Sequence, residues 1–319
     1  MRRRRRRTAA LAITSLSAVA SIAGCGSATS SASPVADAYT SVSATGAFGK
    51  VPTVTIPAAP GAGALYTKTV IPGSGATLTA AQSLLGDFVM YDWSGKTHKL
   101  IGSTYTSKAP TLFAGPLLPG LEKALLGQKV GSRVLAVIPP ADAFGAKGNP
   151  EIGVGATDTV IFVIDMLKTF ANTASVPGKQ TYSGGGALPA VTAGAAGQAP
   201  AIIIPKTAEP KTLQVKILIK GTGATVAKGQ TLVVQYTGML WRTGKVFDSS
   251  WSRGTPFSTL IGVGQVVPGW DKGLVGQTVG SRVLLVIPPA DGYGKSGQPT
   301  AGITATDTMV FVIDILAAS

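Results

Sequence analysis

The sequence predicts an α+β protein that contains two copies of one domain. Gly115 through Leu167 aligns without a gap on Gly264 through Leu316, and more than half of the aligned positions are identical. Each copy consists mainly of short runs of β-branched and other apolar residues, and only Pro268 to about Val275 has a helical pattern. Strands around one short helix are typical of an α+β fold, and 319 residues are enough for two domains with separate cores.

The second copy shows the individual elements most clearly. Apolar side chains alternate from Leu213 to Ile219, which predicts a strand. Proline is accepted in the first turn of the predicted helix, where Trp270 and Leu274 lie on one face at the i, i+4 spacing. Further strands are predicted by the runs Thr231 to Tyr236, Val283 to Ile287 and Met309 to Leu316.

The N-terminus has the pattern of a secretion signal. Arg2 to Arg7 form a basic region, and Thr8 to Gly24 form an apolar stretch of small residues. Ile22 to Cys25 resembles a bacterial lipobox, which predicts a signal peptide over residues 1–24 and lipid attachment at Cys25. An uncleaved membrane anchor is the alternative, but about 17 moderately apolar residues fall short of the roughly 20 that span a bilayer. We therefore expect an extracytoplasmic protein, anchored to the cell membrane by lipid.

The net charge does not indicate nucleic-acid binding. Six of the positive charges are Arg2 to Arg7, so the formal charge of +14 minus these six leaves +8 after cleavage. Charged residues make up 13% of the chain, about half the usual share. No cluster of lysine or arginine interleaved with aromatic residues occurs after the signal, and we expect no nucleic-acid partner.

Two stretches that are poor in large apolar residues divide the chain. Residues 25–50 are mainly serine, alanine, threonine and glycine, which predicts a flexible tether. Residues 169–198 contain three consecutive glycines and many alanines, which predicts a linker between the copies. The predicted domains are therefore residues 51–168 and 199–319.

An ordered set of aromatic and polar residues in the second copy predicts an apolar pocket with almost no proton-transfer chemistry. The chain has one cysteine and one histidine, which is too few for a usual soft-ligand metal site, and the second copy has no histidine to serve as a hydrolase base. We expect neither a metal nor a cofactor. The set consists of Tyr236, Phe247-Asp248-Ser249-Ser250, Pro256-Phe257, Val266-Val267-Pro268-Gly269-Trp270, Tyr293-Gly294 and Phe311.

These motifs resemble FKBP-type peptidyl-prolyl isomerases. The resemblance covers essentially all of Leu213 to Leu316, and the first copy follows more loosely. It implies that each copy is an antiparallel sheet of about five strands wrapped around one short helix, with a proline-binding pocket between them. It also implies proline-containing exported polypeptides as substrates, and it raises FK506-like macrolides as ligands.

The resemblance further implies a role for each pocket residue. Trp270 would form the floor under the proline ring, Asp248 would orient its neighbours, and the Tyr293 hydroxyl would contact a substrate carbonyl. The backbone of Val267 would hydrogen-bond the bound chain. Catalytic roles are thus implied for Asp248, Tyr293, Trp270 and Phe247, and substrate-binding roles for Tyr236, Phe257, Val266, Val267 and Phe311.

The first copy differs at most of these positions, which predicts a degenerate domain that isomerises peptides weakly or not at all. The segment from Pro110 to Pro119 is three residues shorter than the segment from Pro256 to Pro268. Tyr91 is aligned with Tyr236, and Phe162 with Phe311. The replacements are Ile101 for Phe247, Gly102 for Asp248, Thr111 for Phe257, Leu121 for Trp270 and Phe144 for Tyr293.

Two functions are compatible with this pocket. The first is a lipid-anchored isomerase that assists the folding of exported proteins, and the second is a non-catalytic chaperone or peptide-binding surface lipoprotein. Asp248, Trp270 and Tyr293 favour the first, because a protein that only binds has no need of them.

Overall fold

The computed structural model of the chain describes residues 39–58, 63–195 and 197–319, which belong to one structural unit. The predicted signal peptide 1–24, the lipid-attachment residue Cys25 and the first part of the predicted tether lie outside the described residues. No helix within the described ranges has both the length and the apolar character needed to cross a membrane.

The first half forms a two-stranded hairpin followed by a six-stranded antiparallel sheet. Its elements in chain order are β1 (Ser43–Thr45), β2 (Thr53–Thr55), β3 (Tyr66–Ile71), β4 (Gln82–Ser94), β5 (Thr97–Ser103), α1 (Thr104–Ser107), β6 (Thr111–Phe113), α2 (Pro119–Leu125), β7 (Arg133–Ile138) and β8 (Thr159–Ala171). The strand order in the sheet is β3-β7-β8-β4-β5, and the short β6 pairs separately with β4. Every neighbouring pair is antiparallel.

The second half repeats this arrangement. Its elements in chain order are β9 (Ala190–Thr192), β10 (Ala201–Ile203), β11 (Gln214–Ile219), β12 (Thr231–Leu240), β13 (Val246–Ser249), α3 (Ser250–Arg253), β14 (Phe257–Leu260), α4 (Pro268–Leu274), β15 (Arg282–Ile287) and β16 (Met309–Ala318). The strand order is β11-β15-β16-β12-β13, and β14 pairs with β12. The predicted α+β fold with two related domains is confirmed, and each sheet has six strands rather than five.

The helix α4 packs closely on the inner face of the second sheet. A Cβ atom at Gly269 would lie 2.7 Å from the side chain of Ile287, and one at Gly273 would lie 2.7 Å from the side chain of Leu285. Real Cβ atoms do not approach so closely, so glycine at both positions lets the helix lie against β15. This contact buries Trp270 in the core of the second domain.

A buried ion pair joins the two central strands in each sheet. In the first sheet, Arg133 on β7 donates from Nε and Nη2 to Asp165 on β8 at 2.6 and 2.7 Å. In the second sheet, Arg282 donates to Asp314 through the same atoms and at the same distances. Bidentate geometry of this kind offsets the cost of removing both charges from water.

The hairpin of β1 and β2 covers the outer face of the first sheet and corrects the predicted tether. Tyr39 and Val42 are buried there and pack in one apolar cluster with residues of the sheet. The Gly49 N–H donates to Asp165 Oδ2 at 2.7 Å. Arg133 Nη2 donates to the Lys50 carbonyl, in the loop between β1 and β2, at 2.6 Å. From Tyr39 onward, this segment is therefore part of the folded domain, because it supplies partners to buried charges.

The predicted linker is also folded, against the outer face of the second sheet. The strand β8 continues to Ala171, beyond the predicted boundary at residue 168. The Val176 N–H then donates to Asp314 at 3.1 Å, and Val191 on β9 is fully buried against that sheet. The segment from Val176 to Val191 is thus held by the second domain instead of forming a free connection.

A repeat outside the gapless alignment carries the signal for these hairpins. Pro52-x-Val54-x-Ile56-Pro57 in the first half corresponds to Pro200-x-Ile202-x-Ile204-Pro205 in the second half. The first pattern covers β2 and the second covers β10. The duplicated unit therefore includes the hairpin. Its few apolar residues lie among many small ones, so the composition predicted flexible segments instead.

The two sheets also contact each other directly. Leu85 and Phe170 of the first domain form one buried cluster with Val233 and Ala317 of the second. The Thr231 hydroxyl donates to the carbonyl of Pro110 at 3.0 Å. The two domains therefore share a small apolar junction in addition to the segment that connects them.

We predict that loss of the buried Arg133–Asp165 ion pair lowers the free energy of unfolding more than loss of an exposed ion pair. Arg133→Leu leaves Asp165 buried without its partner, so the free energy of unfolding should fall by about 3–5 kcal/mol. The matched control is Lys123→Ala, which breaks an ion pair whose lysine is exposed and should cost about 0–1 kcal/mol. Denaturant unfolding of both variants measures the difference, and equal losses would contradict the prediction.

Candidate functional site

The nine residues for which the sequence predicted a catalytic or substrate-binding role all line one pocket of about 250 Å³ in the second domain. The pocket opens between α4 and the inner face of the sheet. One further residue, Gln265, completes its lining. The nine are Tyr236, Phe247, Asp248, Phe257, Val266, Val267, Trp270, Tyr293 and Phe311.

Trp270 lies at the base of this pocket, enclosed by other aromatic rings. Its side chain is only 4% exposed. The ring centroids of Tyr236 and Phe311 lie 5.2 and 5.3 Å from that of Trp270, with interplanar angles of 86° and 87°. Such edge-to-face pairs each contribute about 0.5–1.5 kcal/mol beyond burial, so the indole is fixed in one orientation. Its buried Nε1 has no hydrogen-bond partner among the described residues.

A glycine in β12 makes room for two of the aromatic walls. A Cβ atom at Gly238 would lie 2.7 Å from Phe311 and 2.8 Å from Phe247. These two rings meet edge to face at 5.5 Å, on the same side of the sheet. Any larger residue at this position would displace at least one wall of the pocket.

The polar corner of the pocket consists of Asp248, Tyr236 and Arg253. The Tyr236 hydroxyl donates to one oxygen of Asp248, and Arg253 donates to the other. Arg253 also donates to the Tyr236 hydroxyl oxygen at 2.9 Å and lies over the tyrosine ring at 5.4 Å. Burial and the hydrogen bond to Asp248 raise the pKa of Tyr236 to about 12, so the phenol stays protonated at neutral pH.

Arg253 was not predicted from the sequence. It lies at the end of α3, five residues after Asp248, and the intervening serines and tryptophan gave no indication that the turn brings it back. The paired arginine balances the carboxylate charge, so the pocket contains a fixed dipole rather than an uncompensated anion.

Tyr293 lies at the pocket mouth and is 40% exposed. It precedes a short 3₁₀ turn, Gly294–Ser296, in the loop between β15 and β16. Burial and then the negative charge of Asp248 raise the pKa of Tyr293. Its protonated hydroxyl forms no hydrogen bond with any described residue and is therefore available to donate to a bound molecule.

The loop before α4 forms the pocket rim and is held by Asp271. The Gly262 and Gly264 N–H groups donate to the two oxygens of Asp271 at 2.6 and 2.8 Å. The Val267 carbonyl accepts from the Trp270 N–H at 2.9 Å. The Val267 N–H has no hydrogen-bond partner among the described residues, so it can donate to a bound chain. Asp271 was not predicted as a positioning residue, because its partners are backbone groups that leave no side-chain pattern.

The strand register corrects one position of the alignment between the copies. Phe88 lies opposite Ile164, as Tyr236 lies opposite Ile313. The counterpart of Tyr236 is therefore Phe88, and Tyr91 instead contacts the cluster on the outer face of the first sheet. A shift of three residues in a strand also reverses the face on which a side chain lies.

The corresponding region of the first domain is filled by side chains. Met90 occupies the position of Gly238 and is buried in the core with Leu121 and Phe162. Phe88 has no hydroxyl, and Gly102 has no carboxylate to pair with it. The first domain thus has neither the polar corner nor the tryptophan floor of the second.

Comparison with known proteins identifies relatives of both halves. The sequence profile of the family described as "FKBP-type peptidyl-prolyl cis-trans isomerase" matches residues 80–167 and 223–316. The chain is 40% identical over 118 residues to an FK506-binding protein of Streptomyces anulatus, which covers 37% of this chain and 95% of that protein. It is 29% identical over 241 residues to the peptidyl-prolyl cis-trans isomerase FKBP9 of Rattus norvegicus, over 73% of this chain and 35% of that protein.

Among solved structures, the crystal structure of FkpA from Escherichia coli is 38% identical over 34% of this chain and 48% of that chain, with a TM-score of 0.31. The two profile matches together cover more than half of the 319 residues, and each falls on one of the two sheets. The chain therefore belongs to the family of FKBP-type peptidyl-prolyl cis-trans isomerases.

Proposed function

We propose that this isomerase acts through the pocket of its second domain on proline-containing exported polypeptides, while a lipid on Cys25 holds it at the cell membrane. One observation carries the assignment to the second domain. All nine residues implied by the family motifs converge there on a single aromatic pocket, whereas the first domain has replaced or filled most of these positions.

The reaction requires no bond to be made or broken. A peptide bond before proline rotates over a barrier of about 18–20 kcal/mol because it must lose amide resonance, and unaided exchange takes tens to hundreds of seconds. The twisted amide is less dipolar than the planar one. An environment that solvates dipoles poorly therefore destabilises the planar ground state more than the transition state.

The pocket of the second domain provides such an environment. Its floor, Trp270, is almost fully buried, and its walls are aromatic rings packed edge to face. A pyrrolidine ring placed on the indole would exclude water from the imide bond. Each 1.36 kcal/mol by which the pocket favours the twisted over the planar amide gives a factor of ten in rate.

Two hydrogen-bond donors at the rim can hold the substrate chain while the imide bond rotates. They are the Tyr293 hydroxyl and the Val267 N–H, neither of which is used within the described residues. Donors fixed by the fold provide orientation without further ordering when the substrate binds. Asp248, held by Arg253 and Tyr236, adds a fixed dipole beside the bound amide.

The proposed location outside the cytoplasm depends on the N-terminal sequence. Arg2 to Arg7, the apolar stretch to Gly24 and the residues before Cys25 form a lipoprotein signal pattern. Chains that emerge from the membrane begin to fold with their prolines in a mixture of isomers, so an anchored isomerase would meet them early.

We expect Trp270→Leu to abolish most of the activity of the full chain. This variant installs the residue of the first domain, Leu121, and removes the aromatic floor, so kcat/KM toward a short proline peptide should fall at least tenfold, or about 1.4 kcal/mol. The matched control, Leu121→Ala in the first domain, should leave kcat/KM within about twofold. Melting temperatures check that both variants are folded, and equal losses would show that both domains contribute.

Catalysis can be separated from simple binding with the double variant Asp248→Val, Tyr293→Phe. Each change removes one polar group worth about 0.5–1.5 kcal/mol, so the two together should lower the isomerisation rate about 5- to 160-fold. The affinity for a proline peptide, measured by titration calorimetry, should change much less because the aromatic walls remain. An unchanged rate would support the non-catalytic chaperone instead.

Lipid attachment can be tested through the single cysteine of the chain. In cells supplied with radiolabelled palmitate, the natural protein should become labelled, sediment with membranes and contain no thiol that reacts with maleimide. Cys25→Ala should be unlabelled and released from the membrane fraction. A mature protein that retains a reactive thiol would rule out the anchor without affecting the proposed reaction.

A further inference from the structure

The first domain contains a cavity with apolar walls and a polar rim that shares no residue with the isomerase pocket. Its volume is about 210 Å³, and it lies between β4, β6 and α2. Thr255 from the second domain and Asn172 from the connecting segment close one side. The apolar walls are Leu78, Leu84, Phe113, Leu117 and Leu125.

The second domain shows what normally occupies this space. There, β14 runs to Leu260 opposite Thr231, and the chain continues along the same edge. The Ile261 N–H donates to the Gln230 carbonyl at 3.1 Å, and the Gly229 N–H donates to the Ile261 carbonyl at 2.8 Å. The Ile261 side chain is fully buried in the core beside Val226, Leu232 and Leu274.

The first domain lacks this side chain and has larger walls around its place, since Phe113 lies opposite Leu84 where Thr259 lies opposite Leu232. The hydrogen bond from Thr79 N to Gln82 Oε1 corresponds to the bond from Ala227 N to Gln230 Oε1, which fixes the equivalence of the two strand starts. Leu78, Leu84 and Leu125 therefore correspond to the neighbours of Ile261. The chain ends β6 at Phe113 and turns away at Gly115 with φ 72°, because its loop is three residues shorter.

The shorter loop also releases a carboxylate at the rim. In the second domain, Asp271 accepts the Gly262 and Gly264 N–H groups of the longer loop. Glu122 occupies the corresponding helix position, and its side chain forms no hydrogen bond or ion pair within the described part of the chain. The amide side chains of Gln82 and Asn172 add further polar groups around the opening.

We infer that this cavity is a binding site for a branched aliphatic or phenyl side chain of an extended polypeptide. A cavity of about 150 Å³ has room for a benzene molecule, so a volume of about 210 Å³ is sufficient for such a side chain. The walls suit a branched aliphatic side chain because the second domain seats Ile261 among apolar residues at the corresponding positions. The polar rim can pair with the backbone on either side of the inserted side chain.

This inference goes beyond the proposed isomerase function, because the site requires no proline and lies in the domain without the aromatic pocket. It gives that domain a role in holding non-native chains. Thr255 is two residues from Phe257, so a bound chain would lie beside a loop that also forms one wall of the isomerase pocket.

The test is a methyl NMR titration of the full chain, labelled at its leucine methyl groups, with N-acetyl-leucine amide. Saturable shifts are expected at Leu84 and Leu125, and none with N-acetyl-serine amide. Ala114→Phe places a ring at the cavity lining and should weaken binding at least tenfold. Ala227→Phe adds the same ring to an exposed loop of the second domain and should leave the affinity unchanged.

The inference is overturned if Leu84 and Leu125 show no saturable shift, or if Ala114→Phe binds the probe as tightly as the natural chain. Should Ala114→Phe fail to fold, as judged by its melting temperature, Thr255→Phe fills the cavity from the other domain and carries the same expectation. Trp270→Leu must retain probe binding. Its effect on isomerisation separates the outcome of this proposal from that of the isomerase proposal.

Discussion

The second domain depends on how closely α4 lies against the sheet. Gly269 and Gly273 leave no side chain between the helix and β15, so the helix axis can approach until Trp270 is enclosed by the sheet. The indole then forms the floor of a cavity whose other walls belong to strands distant in sequence. A methyl group at either glycine would separate the two layers and open the cavity to water.

The same frame carries two different interiors. The pairs Arg133–Asp165 and Arg282–Asp314 have equal geometry, and the strand orders are identical. The residues on the inner faces of the two sheets differ. Met90 fills the place of Gly238, while the loss of three loop residues opens a cavity on another side of the first core. Duplication thus keeps the scaffold and allows each copy its own binding surface.

The segments before each sheet show the limits of composition as a guide. Residues 25–50 and 169–198 are rich in small residues, which predicts a tether and a linker, yet Tyr39 and Val42 in the first segment and Leu188 and Val191 in the second pack on outer sheet faces. A few anchors such as Tyr39 and Val191 are enough, because the buried Asp165 and Asp314 also need backbone donors. Because the composition of these segments is dominated by small residues, a few apolar anchors do not change the prediction. The repeated pattern, Pro52–Pro57 and Pro200–Pro205, is the sequence feature that indicates a strand in each segment.

The sequence by itself determined the fold class, the duplication and the helix that begins at Pro268, because alternation and internal repeats are local in the chain. The nine residues that line the pocket were implied by the resemblance of an ordered set of motifs to a known family. The tertiary structure alone decided which partners meet. Arg253 returns to Asp248, Asp271 binds loop amides, Phe88 rather than Tyr91 corresponds to Tyr236, and a shortened loop leaves a cavity. These features depend on strand register and on contacts between distant segments, which composition and spacing do not encode.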